Sequence, residues 1–120
     1  MMNSEHVDKK VQKYISENCL RLNPVEKKLV ETTTKQCAQP LTDLCHVECS
    51  KLMSVLVKIA NPRKILEIGT LNGLTTLNMS LALPSDAQII TLTTQEREKN
   101  IASIKTVWKE AGVDQKVILI

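Results

Sequence analysis

Three short aliphatic runs in the second half of the chain set the strongest limit on its fold. They read KILEI (64–68), AQIITLTT (87–94) and KVILI (116–120). Nearly continuous apolar runs of this length are typical of strands that are buried on both faces of a parallel sheet. The stretches between the runs have helical spacing. The order strand, helix, strand, helix, strand therefore predicts half of a doubly wound, Rossmann-like α/β sheet.

The first half of the chain follows a helical pattern instead. Apolar residues recur at intervals of three and four over about 5–18, in a short stretch that begins at Asn23, and most clearly over about 43–60. This spacing predicts three helices ahead of the sheet. We therefore expect an N-terminal helical region, 1–61, followed by a sheet region, 62–120.

The composition argues against several classes of protein. The chain has a net charge of +3, its basic residues are spread along its length, and Tyr14 and Trp108 are its only aromatic residues. A nucleic-acid-binding surface would need a concentrated basic face with stacking aromatic rings. No apolar run approaches the ~20 residues that span a bilayer, and the N-terminus lacks the apolar core of a signal peptide. We expect a cytoplasmic protein that contacts neither nucleic acid nor membrane.

The cysteines do not have the spacing of a metal site. They are Cys19, Cys37, Cys45 and Cys49, and none belongs to a C-x-x-C arrangement. Cys45 and Cys49 are one helical turn apart with His46 adjacent in sequence, which offers at most two ligands on one face, whereas a structural zinc needs four. We expect reduced, partly buried thiols.

The turn after the first aliphatic run is the place to expect a ligand, because ligands of open α/β sheets bind beyond the carboxyl ends of the strands. This turn reads EIGTLNGLT (67–75). Gly69 permits a sharp turn and Gly73 permits close approach at the start of a helix. Their spacing is not the G-x-G-x-x-G of a dinucleotide site, which disfavours a dinucleotide oxidoreductase, and no P-loop lysine follows. Glu67 would repel a phosphate and favours a cationic ligand with an amino group, such as S-adenosylmethionine.

The segment 67–75 resembles the first motif of class I S-adenosylmethionine-dependent methyltransferases. It is more closely similar to the cation-dependent O-methyltransferases of the caffeoyl-CoA and catechol type, which read E-I-G-x-aromatic-T-G-Y-S here. The similarity extends over 51–84 and over WKEAGVDQKV (108–117). It implies a Rossmann-like methyltransferase fold, truncated to about three parallel strands and preceded by N-terminal helices. It also implies methyl transfer from S-adenosylmethionine to a small hydroxylated acceptor.

The resemblance implies roles for individual residues of a cofactor site. Glu67 would hold the methionine ammonium through water, Gly69 would pass its backbone beside the ligand, and Thr75 would offer a hydroxyl to the methionine end. Cys45 falls where the family often has a threonine close to the cofactor. The turn residues Thr70 and Gly73 complete this part of the candidate set.

The sequence departs from the family at the end of the second strand. The family has an Asp or Glu there, which binds both ribose hydroxyls. Counting from Glu67 without a gap gives Thr93, and a shift of two residues gives Gln95. A neutral hydrogen bond in place of a charge-assisted pair costs about 1–2 kcal/mol, which is roughly tenfold in affinity. We include Thr93 in the candidate cofactor site and expect weakened binding, all the more because Leu71 and Leu74 replace the usual aromatic residues.

The sequence also lacks the later strands on which the family carries its divalent-metal ligands. Asp86 and Asp114 lie in predicted loops at the opposite end of the sheet. We therefore expect no metal ligands, no catalytic residues and little activity from this chain alone. One alternative is a non-catalytic remnant that pairs with itself or with a full-length relative, because the resembling family usually dimerises. Another is the unstable product of a degenerate or incomplete gene, since a chain that ends within its third strand leaves apolar sheet surface exposed.

Overall fold

The computed structural model describes residues 8–36, 47–93 and 98–120 of the chain. Within these ranges lie five α-helices, three β-strands and one 3₁₀ turn. In chain order they are α1 (Lys9–Asn18), α2 (Pro24–Gln36), α3 (Val47–Ala60), β1 (Lys64–Ile68), α4 (Leu74–Ala82), β2 (Gln88–Leu92), α5 (Glu98–Glu110), the 3₁₀ turn (Asp114–Lys116) and β3 (Val117–Leu119).

The three strands form one parallel sheet in the order β1-β2-β3. The register places Glu67 of β1 beside Thr91 of β2, and Ile89 of β2 beside Val117 of β3. A helix connects each strand to the next, so the predicted Rossmann-like α/β arrangement is confirmed. Both crossovers move in the same direction along the sheet, and right-handed crossovers of this kind place their helices on the same face.

The two faces of the sheet differ strongly in burial. Ile89 is fully buried and packs with Met79 and Leu83 near α4 and with Val57 of α3. The opposite face is open to solvent in the described structure, so the prediction that β1 is buried on both faces is wrong here. We call this surface the bare sheet face, and it comprises Leu66 (63% exposed), Ile68 (82%), Ile118 (41%) and Ile120 (68%).

Helix α4 lies at the centre of the core. Its residues Leu74 and Leu77 pack with Leu29 of α2 and with α5, while Met79 packs against the sheet and α3. This placement explains why six of its nine residues are buried, including polar ones. The buried residues of α4 are Leu74, Thr76, Leu77, Asn78, Met79 and Ser80.

Helix α2 is fixed at its start by a side-chain cap. Asn23 Oδ1 accepts from the Glu26 backbone N–H at 2.8 Å, and Glu26 Oε2 accepts from the Asn23 N–H at 2.7 Å, which is a reciprocal capping box. The other Glu26 oxygen pairs with Lys51 of α3. The helix continues through the polar stretch to Gln36, where threonine hydroxyls bond back to carbonyls of the preceding turn.

Candidate functional site

The glycine turn folds over the carboxyl ends of β1 and β2. The backbone N–H groups of Gly69 and Thr70 both donate to the carbonyl oxygen of Leu92, at 3.0 and 2.9 Å. Gly69 has φ +98°, a region that only glycine enters without strain, and Leu71 has φ +49°. A leucine in the left-handed region is strained, and strain of this kind concentrates at ligand-binding turns. The turn therefore has a fixed geometry at the edge where an open α/β sheet binds its ligand.

Glu67 accepts hydrogen bonds from hydroxyl groups of two other elements, α4 and β2. Its Oε2 accepts a hydrogen bond from Thr76 Oγ1 of α4 and another from Thr91 Oγ1 of β2, each at 2.5 Å. The hydroxyl oxygen of Thr70 lies 2.8 Å from that of Thr91 and 3.2 Å from the carbonyl oxygen of Leu92. All three threonines are buried, whereas Glu67 is only half-buried. The carboxylate is thus the polar centre at which β1, β2, α4 and the glycine turn meet.

The electrostatic environment of Glu67 is unusual for a strand-end acid. Burial raises the pKa of its carboxyl group, and the hydrogen bonds from Thr76 and Thr91 lower it by less. No lysine or arginine of the described residues forms an ion pair with it. A half-buried carboxylate without a counter-ion among the described residues is a suitable partner for a cationic group of a ligand.

The other candidate residues occupy different positions around this centre. Thr75 is half-buried in the first turn of α4, directly before Thr76. Thr93 follows β2, and its backbone N–H donates to the Ile120 carbonyl at 2.8 Å. Cys45 and Gln95 lie outside the described residues.

Sequence reasoning missed Thr76 and Thr91, which make the closest contacts to Glu67. The signal for Thr91 was its parallel register with Glu67, which cannot be read from either strand alone. The signal for Thr76 was a second threonine at the start of a helix whose neighbours are apolar.

Gly73 approaches α5 closely. A Cβ atom at this position would lie 2.5 Å from Ile104 Cγ2 and 3.0 Å from the Trp108 ring. In addition, Asn72 caps α4 with its Oδ1, which accepts from the Leu74 N–H at 3.1 Å. A Cβ on Gly69, in contrast, would meet nothing within 4 Å, so its backbone faces open space. The close approach predicted at Gly73 is therefore a helix contact, and Gly69 is the glycine with room for a ligand.

The described residues do not offer a metal centre. No group of three or more His, Cys, Asp or Glu side chains comes together among them. Asp86 pairs with Arg63, just before β1, and Asp114 begins the 3₁₀ turn just before β3, so both lie at the amino ends of the strands. Within the same ranges no helix has the length and apolar character that crossing a bilayer requires.

Comparison with known proteins identifies relatives that match most of this chain. A sequence model of the O-methyltransferase family matches residues 15–120. A caffeoyl-CoA O-methyltransferase of Populus kitakamiensis is 30% identical over 92 residues, which are 76% of this chain and 38% of that protein. The S-adenosylhomocysteine-bound methyltransferase PaMTH1 of Podospora anserina is similar with a TM-score of 0.75 and 26% identity, over 100% of this chain and 50% of that one. TomG of Streptomyces achromogenes, solved with S-adenosylmethionine, has a TM-score of 0.72 and 25% identity over 99% of this chain and 51% of its own.

These relatives share the fold described above but are about twice as long as this chain. The chain spans about half of the solved structures and less than half of the curated relatives that it matches. The matched region nonetheless includes α2 to α5, all three strands and the glycine turn. The sequence similarity and the shared sheet topology lead to the same assignment. The chain belongs to the O-methyltransferase family.

Proposed function

We propose that this chain forms the S-adenosylmethionine-binding part of an enzyme that transfers a methyl group to a small hydroxylated acceptor. The observation that carries the proposal is Glu67, a half-buried carboxylate that lacks a described counter-ion at the carboxyl end of β1. S-adenosylmethionine has an ammonium group and a sulfonium and lacks phosphate, so an acid at this point attracts it. The presence of this cofactor or its product in TomG and PaMTH1 supports the proposal.

Within this proposal, residues of 62–120 supply most of the cofactor contacts and 1–61 is an N-terminal helical region. Glu67 attracts the methionine ammonium, directly or through water, and Gly69 leaves space for the ligand beside its backbone. The remaining members of the proposed cofactor site are Thr70, Gly73, Thr75, Thr93 and Cys45.

The described residues do not fit a divalent metal, because their acidic side chains do not cluster. We therefore assign no metal-dependent step to this chain. Cation-dependent methyl transfer would need ligands from residues beyond those described. We expect little or no turnover when residues 1–120 alone are mixed with a catechol, Mg²⁺ and S-adenosylmethionine, and a measurable rate of methylation would contradict this expectation.

The test of the cofactor site is a calorimetric titration of the purified chain with S-adenosylhomocysteine, which retains the ammonium. We expect binding to the wild-type chain and an affinity about tenfold lower for Glu67→Gln, since one charge-assisted contact is lost. Glu67→Ala should bind still more weakly. Glu31→Gln is the matched control, because Glu31 is exposed on α2 and should leave the affinity unchanged. A cooperatively folded wild-type chain that releases no heat would overturn the proposal.

The bare sheet face supports a second candidate, a non-catalytic role in assembly. The occupant would be a full-length relative, because the resembling family usually dimerises and the described residues leave one face of the sheet exposed. Light scattering of the chain mixed with such a relative should show a heteromeric complex. Ile68→Lys should weaken the complex, whereas Lys27→Ala, at an exposed position of α2 away from the sheet, should not. A chain that stays monomeric in the mixture would argue against this role.

A further inference from the structure

We propose that Thr76 and Thr91 are positioning residues for Glu67. Their hydroxyls hold one carboxylate oxygen, Oε2, against the sheet and α4, so that the other oxygen, Oε1, is the one that meets the ammonium of a ligand. The identity of that ligand rests on the proposed function, but the orientation of the carboxylate does not.

The contact geometry supports an orienting role. The two hydroxyls approach Oε2 from different elements, α4 and β2, each at 2.5 Å. Thr76 and Thr91 are both 0% exposed, so neither hydroxyl can bond to water instead. Rotation of the carboxylate would break both bonds. Thr91 could then donate to Thr70 Oγ1, 2.8 Å away, but Thr76 would be a buried donor with no other described acceptor, at a cost of about 1–3 kcal/mol. One orientation of Glu67 is therefore strongly preferred.

The charge of Glu67 determines which way the hydroxyl groups of Thr91 and Thr70 donate their hydrogen bonds. Each threonine hydroxyl has one proton to donate. When Glu67 is ionised, Thr91 donates to Oε2 and its oxygen can accept from Thr70, 2.8 Å away. When Oε2 carries a proton and donates it to Thr91, Thr91 must donate to Thr70, and Thr70 donates to the Leu92 carbonyl at 3.2 Å. The direction of this hydrogen-bond chain thus follows the charge of the carboxylate.

Among the described residues, these two hydroxyls are the groups that favour the charged form of Glu67. Helix α4 and strand β2 contain no ionisable side chain, and Lys64 of β1 is on the opposite face of the sheet by strand alternation. On α3, which packs against α4, Lys51 pairs with Glu26 and Lys58 is exposed. The segment 94–97, which carries Glu96 and Arg97, lies outside the described residues. Burial raises the pKa of Glu67 and only the two hydroxyls are known to oppose it.

Isosteric variants separate orientation from packing. Thr91→Val and Thr76→Val remove a hydroxyl and keep the branched shape, while Thr91→Ser and Thr76→Ser keep the hydroxyl. Thr33→Val is the matched control, because Thr33 is equally buried (1% exposed) and its hydroxyl bonds to the Leu29 carbonyl within α2, away from Glu67.

The decisive measurement is a carbon-13 NMR titration of the Glu67 carboxyl carbon in the ligand-free chain. We expect the pKa of Glu67 to rise by about half a pH unit or more in each valine variant, because a hydrogen bond to the charged form is lost. The serine variants should stay near wild type and Thr33→Val should match it. An unchanged pKa in both Thr76→Val and Thr91→Val would overturn the inference. If a valine variant fails to fold, the alanine variant of the same residue, which also lacks the hydroxyl, is titrated in its place with the same outcomes.

A titration with S-adenosylhomocysteine then distinguishes the inference from the proposed function. If the positioning of Glu67 and the proposed cofactor site are both correct, Thr91→Val should bind S-adenosylhomocysteine about tenfold more weakly than wild type, a loss of ~1.4 kcal/mol. Thr33→Val should bind it with the wild-type affinity. If the wild-type chain binds nothing while the valine variants shift the Glu67 titration, the proposed cofactor is wrong and the positioning of Glu67 is upheld. Normal binding by Thr91→Val would show that the orientation is irrelevant to the ligand and would overturn the inference.

Discussion

The indole N–H of Trp108 donates a hydrogen bond of 3.1 Å to the carbonyl oxygen of Gly73. Trp108 lies on α5 and is 2% exposed, and Gly73 is the last residue of the turn that precedes α4. The contact joins the candidate cofactor turn to the core cluster around Leu77 and Ile104. The geometry of the turn therefore depends on the packing of α5 as well as on its own glycines.

We expect Gly73→Ala to destabilise the fold by about 3 kcal/mol, from overpacking together with backbone strain. The new Cβ would lie 2.5 Å from Ile104 Cγ2, and φ at this position is +72°. The measurement is the free energy of unfolding from urea denaturation. Gly112→Ala is the control, because its φ is also positive, +69°, but its Cβ would meet nothing within 4 Å. If both variants lose equal stability, backbone strain accounts for the loss and the contact with α5 does not.

The hydrogen bond itself can be tested with Trp108→Phe. Removing the indole N–H leaves the Gly73 carbonyl without this donor and creates a small cavity, at a cost of about 2–3 kcal/mol. Urea denaturation followed by circular dichroism measures this loss, because the variant has no tryptophan fluorescence. Tyr14→Phe serves as the control, since Tyr14 is 64% exposed on α1 and should change stability by less than about 0.5 kcal/mol. A stable Trp108→Phe variant would show that α5 does not hold the turn.

The sequence was sufficient to predict the elements that local patterns encode. The aliphatic runs predicted three strands, and the glycines predicted the turn at 69–73. The methyltransferase fold was predicted from the resemblance to the family.

The features that sequence reasoning missed arise from long-range pairing. The contact between Glu67 and Thr91 follows from the parallel register of two strands that are 24 residues apart. The exposure of Leu66 depends on both crossover helices covering the same face, which an aliphatic run does not reveal.

The N-terminal helices contribute to stability through Glu26. We expect Glu26→Gln to lower the free energy of unfolding by about 1–2 kcal/mol, because Lys51 loses its charged partner but is 29% exposed and regains water. Glu26→Ala should cost about 1 kcal/mol more, since the capping bond to the Asn23 N–H is lost too. The control is Glu110→Gln, which breaks an exposed pair with Lys28 worth less than about 1 kcal/mol. Equal losses in Glu26→Gln and Glu110→Gln, measured by urea denaturation, would show that burial adds nothing to the Glu26 pair.

Glu67 should make the fold less stable at neutral pH than a neutral residue would. Because the pKa of Glu67 is raised in the folded chain, the folded state keeps its proton over a pH range in which the unfolded state has lost it. The contribution of Glu67 to stability therefore falls as the pH rises from the ordinary glutamate value to the raised one, and it stays low above that range. Glu67→Gln is neutral throughout and should be more stable than wild type at pH 7.5, with the difference disappearing near pH 4.

Urea denaturation at the two pH values measures this difference, and Glu31→Gln, on the exposed face of α2, controls for the loss of one negative charge. A substitution that stabilises the fold and weakens binding of S-adenosylhomocysteine is the expected signature of a site kept for its ligand, where function is retained at the expense of stability. If Glu67→Gln is instead less stable at pH 7.5, the carboxylate serves the fold, and its three threonine neighbours would be a structural network in which the ligand has no part.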